Sequence, residues 1–146
     1  MKDPDAPDHI GINLVLAAEA WEREFNARML AAGHAAFGDA RARVVRFIGR
    51  SGIDQARLVA LAGMTKQAVK VHLDGLEADG LIRRVPSSAD KRQNRVEFTE
   101  LGLAILADAD RIKGEIEALY VARIGSERFA RMRDALRILS EDSQFS

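Results

Sequence analysis

The stretch Leu58-Val-Ala-Leu-Ala-Gly-Met-Thr-Lys-Gln-Ala-Val-Lys-Val-His-Leu-Asp-Gly-Leu-Glu-Ala-Asp-Gly-Leu-Ile-Arg-Arg-Val85 decides the fold. It reads as two short helices across a tight turn, followed by a strand. Gly63 stands where a turn of about three or four residues needs left-handed φ, and Thr65 is a good N-cap for the helix that begins at Lys66. Ala68, Val69, Leu73 and Leu76 recur at helical spacing and face inward, which leaves Lys66, Gln67, Lys70 and Val71 outside near the N-terminal end. Gly80 terminates this helix as the residue beyond its C-cap.

An exposed face bearing Lys, Gln and Lys beside a helix N-terminus suits the DNA major groove. Lys contacts guanine or phosphate there, and Gln pairs with adenine through two hydrogen bonds. Taken alone, these residues more often describe a solvated helix face. The continuation favours the groove. Leu81-Ile-Arg-Arg-Val85 and Asn94-Arg-Val-Glu-Phe98 read as two strands, and the polar segment from Pro86 to Gln93 joins them as a basic loop, a wing. The expected DNA contacts are therefore Thr65, Lys66, Gln67, Lys70 and Val71 on the helix, with Lys91, Arg92 and Arg95 on the wing. Gln55, with the unpaired N–H groups at the start of the preceding helix, is a further phosphate contact.

These residues also carry a family resemblance. Leu76-Glu-Ala-Asp-Gly-Leu-Ile-Arg84, then Ala89-Asp-Lys-Arg92, then Val96-Glu-Phe-Thr-Glu-Leu-Gly102 resembles the winged-helix core of MarR-type transcriptional regulators, over about residues 40 to 105. The pieces are weak singly and specific in combination. The resemblance implies a homodimer on a pseudo-palindromic double-stranded DNA site, a recognition helix in each major groove and a wing at each adjacent minor groove. It also implies repression and release by a ligand. Gln93 departs from the small residue usual after the Asp-x-Arg pair.

Net charge is zero over the 146 residues, but its distribution is uneven. Residues 41–95 hold 12 basic and 5 acidic side chains, while the two flanks together carry an equal negative excess. A basic centre between acidic ends is the electrostatic footprint of a DNA-reading core on a helical scaffold. With no Cys, the chain has no disulfide, no thiol switch and no cysteine metal site, and His9, His34 and His72 are too scattered for a zinc motif. No apolar run approaches a membrane span and the N-terminus lacks the pattern of a signal peptide, so the expectation is a cytoplasmic protein.

In chain order, the first eight residues read as a loose arm. Ile10, Leu14, Ala17, Ala18, Trp21, Phe25 and Met29 define a long amphipathic helix from His9 to about Ala32, with Asp8 as its cap. Gly33 and Gly38 punctuate a loop. Asp39 then caps a second helix to about Arg50, with Val44, Val45, Phe47 and Ile48 inward. Ser51-Gly-Ile53 is a connection or a minimal first strand, and Asp54 caps a third helix whose inward residues are Leu58, Leu61 and Ala62. After the wing, Thr99 caps a long helix with Leu103, Ile105, Leu106, Ala109, Ile112, Ile116, Leu119 and Tyr120 in a broad stripe to about Ile124. Gly125-Ser126 restarts the chain into a last helix bearing Phe129, Met132, Leu136 and Leu139.

The fold class expected is mainly α with a small β-wing, a single domain over residues 1–146. Its winged helix-turn-helix core spans 39–98, between dimerisation helices at 9–32 and 99–140. The terminal helices carry more apolar stripe than a small winged core covers, and a second copy of the chain is the economical partner. Phosphate-binding, hydrolase and zinc-protease motifs are absent, and Asp108 and Asp110, two apart on a helix, do not face each other; no enzyme and no cofactor are expected. In the family the effector pocket lies between the dimer helices and the winged core. Asn13, Trp21, Phe37 and Arg41 are its candidates here, and an Arg beside aromatics suits a small aromatic carboxylate. Aromatics at helical spacing are, however, more often core or dimer contact. A winged-helix module that binds an acidic protein without reading DNA sequence is the competing function.

Overall fold

The computed structural model of the chain describes residues 3–88 and 90–141; Met1 and Lys2 of the expected arm and Ala89 of the wing loop lie outside the described residues. Helix α1 spans Ile10–Ala31. Its cap is His9, whose Nδ1 accepts from the Ile12 N–H at 3.3 Å, and not the expected Asp8, whose carboxylate instead receives the Asn13 side-chain amide. The second helix is much shorter than expected. A 3₁₀ turn occupies Ala35–Gly38, and α2 runs only over Ala42–Val45 before its bonds tighten, Phe47 N–H to the Val44 carbonyl and Ile48 N–H to that of Val45. The β-branched pair Val44 and Val45, followed by Gly49, gives this segment little helical persistence. Asp39 closes a side-chain turn onto the Arg41 N–H at 2.9 Å, so the N-cap position falls to Arg41.

Strand β1 is Ile53–Asp54, followed at once by α3 (Gln55–Ala62), α4 (Lys66–Ala78), β2 (Ile82–Pro86) and β3 (Asn94–Phe98). The sheet is antiparallel in the order β1-β3-β2, with Ile53 and Arg84 both opposite Val96 and Ile82 opposite Phe98. Period-two alternation places Ile82, Val96 and Phe98 inward and Arg83 and Glu97 outward, where the pair makes a cross-strand salt bridge at 3.1 Å. Asp54 stands at the N-cap of α3 without bonding its amides. Its carboxylate is used by Ser87 Oγ at 3.1 Å and by Arg95.

Helix α5 spans Glu100–Ile124 and α6 spans Ser126–Glu141. Thr99 joins the wing to α5: its Oγ1 donates to the Gly80 carbonyl and accepts from the Gly102 N–H, while its own N–H donates to the Leu81 carbonyl. Gly102 is required by this close approach. An ideal Cβ there would lie 2.0 Å from the Leu81 carbonyl oxygen.

One continuous core results. Leu58, Val69, Leu73, Leu76, Ile82 and Val96 fill the winged half, and Met29, Ile105, Ile112 and Ile116 fill the space between α1 and α5. The stripes overshoot this core, as expected of the terminal helices. Ile10, Leu14, Leu119, Leu136 and Leu139 are exposed in the single chain, and α6 buries no residue. Leu61, expected inward, is also exposed.

Candidate nucleic-acid interface

The helix-turn-helix is set by two local signals. Gly63 adopts φ 63°, ψ 29° at the end of α3, a conformation that a Cβ disfavours, and the Thr65 side chain accepts from the Ala68 N–H at 3.0 Å to start α4. The far end of α4 closes with two reverse bonds, Leu81 N–H to the Leu76 carbonyl and Gly80 N–H to that of Glu77, around Gly80 at φ +77°. Both ends of the helix are thereby fixed by the residues that flank it.

Val69, Leu73 and Leu76 are buried, and Thr65, Lys66, Gln67, Lys70, Val71 and Asp74 form the outer face. Between the start of α4 and the wing runs an open groove of about 380 Å³, lined by Gln55, Ala56, Val59, Lys66, Arg92, Gln93 and Asn94. Lys66 and Lys91 make no ion pair among the described residues. Arg92 has a side chain that is 92% exposed and, among the described residues, pairs with Asp90 alone, at 3.4 Å, whose carboxylate also shapes the wing turn by accepting the Arg92 N–H. Gln55 brings to the groove a side-chain oxygen that is buried and has no hydrogen-bond partner among the described residues.

The expected contacts are not equivalent. Lys70 Nζ lies 3.2 Å from Asp74 Oδ2, and Asp74 Oδ1 accepts from Arg84 at 2.6 Å. Glu77 takes the same guanidinium at 3.1 Å. Arg84 thereby pins strand β2 onto α4, and its hydrogen bonds hold the carboxyls of Asp74 and Glu77 below the ordinary range, with Lys70 adding to the effect on Asp74. Arg95 is turned toward the base of the wing, where it donates to the Ser51 carbonyl and lies 3.5 Å from Asp54. The Lys70–Asp74 spacing is legible in the sequence; the partner Arg84 ten residues on is not.

A second, apolar cavity of about 180 Å³ lies between α1, α2 and α5. Trp21 stacks on Phe25 with centroids 4.9 Å apart, and Phe37 meets Phe25 edge-on at 5.7 Å. Of the four candidate effector residues, Trp21 and Phe37 line this cavity, whereas Asn13 and Arg41 lie outside it. Its cations are Arg46, paired with Glu22 at 3.1 Å, and Lys113, 6.0 Å from the Phe25 centroid. Arg41 is instead clasped by Asp39 and Asp79.

Three helices around a three-stranded sheet, a left-handed glycine between the second and third, and a basic wing define a winged helix-turn-helix protein. Residues 37–93 match the MarR family model, and the winged-helix segment of this chain is a MarR-family domain. The HTH-type transcriptional regulator PetP of Rhodobacter capsulatus is 30% identical over 109 residues, 72% of this chain and 64% of that protein. The chain spans less than two thirds of the length of the curated relatives it matches. Among solved structures, NadR in complex with 4-hydroxyphenylacetate superposes with a TM-score of 0.72 at 22% identity, over 97% of this chain and 99% of that one. A cysteine-to-serine variant of E. coli MarR complexed with operator DNA gives 0.68 at 20% identity, over 89% and 92%.

Proposed function

We propose that the protein is a sequence-specific double-stranded DNA-binding regulator, a repressor that acts as a homodimer on a pseudo-palindromic operator. The observation that carries this reading is the groove whose two walls present Lys66 and Arg92, with Gln67 and Lys91 beside them, because one face joins phosphate-neutralising cations to a helix start narrow enough for the major groove. The exposed apolar residues of α1, α5 and α6 supply the dimer contact, which sets two recognition helices about one DNA turn apart. The MarR variant bound to operator DNA supports the same docking by likeness of fold.

A small aromatic carboxylate fits the aromatic cavity, with Arg46 or Lys113 meeting its charge, in keeping with the aromatic acid held by NadR. Such a ligand releases DNA only through its difference in affinity for two dimer shapes, so tenfold release requires about 1.4 kcal/mol of preference.

The test is selection of bound duplexes from a random pool, followed by a mobility shift at several salt concentrations. Recovery of a two-fold-related motif whose affinity falls steeply with salt supports the proposal. Equal retention of all sequences, or capture of acidic proteins without any duplex, sinks it.

A further inference from the structure

We infer that the recognition helix selects A·T pairs, with Gln67 hydrogen-bonding an adenine and Val71 packing on a thymine methyl about two base steps away. This rests on the DNA-binding reading and narrows it to the chemistry of the half-site. Between Lys66 and Leu76, five exposed side chains look outward from α4: Lys66, Gln67, Lys70, Val71 and Asp74. They do not have equal freedom to read a base.

Lys70 is the residue that would prefer guanine, and it is the one held back. Its ammonium sits on Asp74, and the second oxygen of Asp74 is taken by Arg84, itself anchored by Glu77. A lysine shared with a carboxylate presents a weakened positive field to guanine O6 and N7. Asp74 itself, kept ionised by Arg84, repels those same acceptors. Lys66 lines the groove toward the wing with Arg92, a position suited to phosphate.

Gln67 and Val71 remain. The Gln67 side chain makes no hydrogen bond among the described residues, so its amide is available as a donor–acceptor pair of the kind that matches adenine N6 and N7. Val71 is 57% exposed, an apolar β-branched side chain on the polar face of a helix, where it gains neither burial nor helix propensity. The major-groove feature that such a side chain satisfies is the thymine 5-methyl group. The two residues are one helical turn apart on a single stripe. Four residues advance about 6 Å along the helix axis, and stacked base pairs are about 3.4 Å apart, so the two contacts fall about two steps from each other.

The experiment uses the unaltered full chain and the duplex enriched from a random pool, then replaces single thymines by uracil, which removes only the methyl group. The expected result is A·T at both contacted positions, with one uracil per half-site weakening binding about fourfold, the effect of one buried methyl. Val71→Ala should bind the thymine and uracil duplexes alike, and Asp74→Asn should admit guanine where the unaltered chain rejects it. An enriched half-site with G·C at the contacted positions, or a duplex indifferent to every uracil, overturns the inference while leaving sequence-specific binding intact. Failure to enrich any duplex overturns the functional proposal itself, and the inference with it.

Discussion

Arg41 Nη1 lies 2.8 Å from Asp79 Oδ2 and so ties the start of α2 to the C-cap of the recognition helix. The same guanidinium is gripped by Asp39. Its chain neighbour Ala42 lines the aromatic cavity, so α2 touches the cavity on one side and α4 on the other. Arg41→Ala should lower stability by more than the roughly 1 kcal/mol of a solvent-exposed pair, because its side chain is only 20% exposed and serves two carboxylates. It should also reduce the difference in DNA affinity measured with and without a saturating aromatic acid. Urea unfolding and a displacement titration check the two halves; full ligand response in the variant would show that this tie carries no coupling.

Gly102→Ala and Gly114→Ala should act in opposite directions. A Cβ at Gly102 would lie 2.0 Å from the Leu81 oxygen and 2.8 Å from Phe98 Cδ1, so the wing and α5 must separate, at about 1–3 kcal/mol. Gly114 has open space around the position of its Cβ, and alanine there should stabilise α5 by about 0.5–1 kcal/mol. Thermal unfolding of the two variants should bracket the unaltered chain.

Acid should loosen the wing. The carboxyls of Asp39, Asp74, Glu77 and Asp108 all lie below their ordinary values, each chiefly through a side-chain hydrogen bond: from Arg41, from Arg84 twice, and from His34. A folded-state value below the unfolded one adds stability above the unfolded pKa, about 4, and loses it as pH falls through the lower folded value. Urea midpoints should therefore be insensitive to these groups above about pH 5 and fall below about pH 4. Asp39→Asn, Asp74→Asn and Glu77→Gln together should make that fall shallower; an unchanged slope would assign the acid sensitivity elsewhere.

Leu136→Glu and Leu139→Glu should dissociate the proposed dimer without unfolding the chain, because the two side chains are already 40% and 53% exposed in the single copy. Sedimentation at micromolar concentration should show a monomer, with far weaker binding to a two-half-site duplex. A monomeric unaltered chain under the same conditions would remove the basis for the two-fold operator.

Gln67→Ala and Arg92→Ala should fail differently. Loss of Gln67 should relax base preference at one position per half-site, about 1–3 kcal/mol each. Loss of Arg92, whose side chain is 92% exposed on the wing, should weaken every sequence alike and lower the salt slope by about one for each phosphate left without its cation. Equal losses on all sequences for both variants would abolish this division of labour.

The order and identity of most elements were legible in the chain because their signals are local. Gly63, Thr65, Gly80 and Thr99 set turns and caps from backbone sterics and side-chain bonds within a few residues, and the buried Val69, Leu73 and Leu76 follow directly from helical period. Tertiary structure decided what depends on contacts across elements. Residues 39–50 have the apolar spacing of a helix, yet only Ala42–Val45 form one, because the tighter bonds that end it seat Ile48 in the shared core. Arg41, Arg84 and Arg95 look alike in sequence to Lys91 and Arg92, since nothing local distinguishes a paired arginine from an exposed one. Folding brings Asp79, Asp74 and Asp54 against the first three and leaves the wing tip in solvent; charge is a property of the residue, but its availability is a property of the neighbours that the fold supplies.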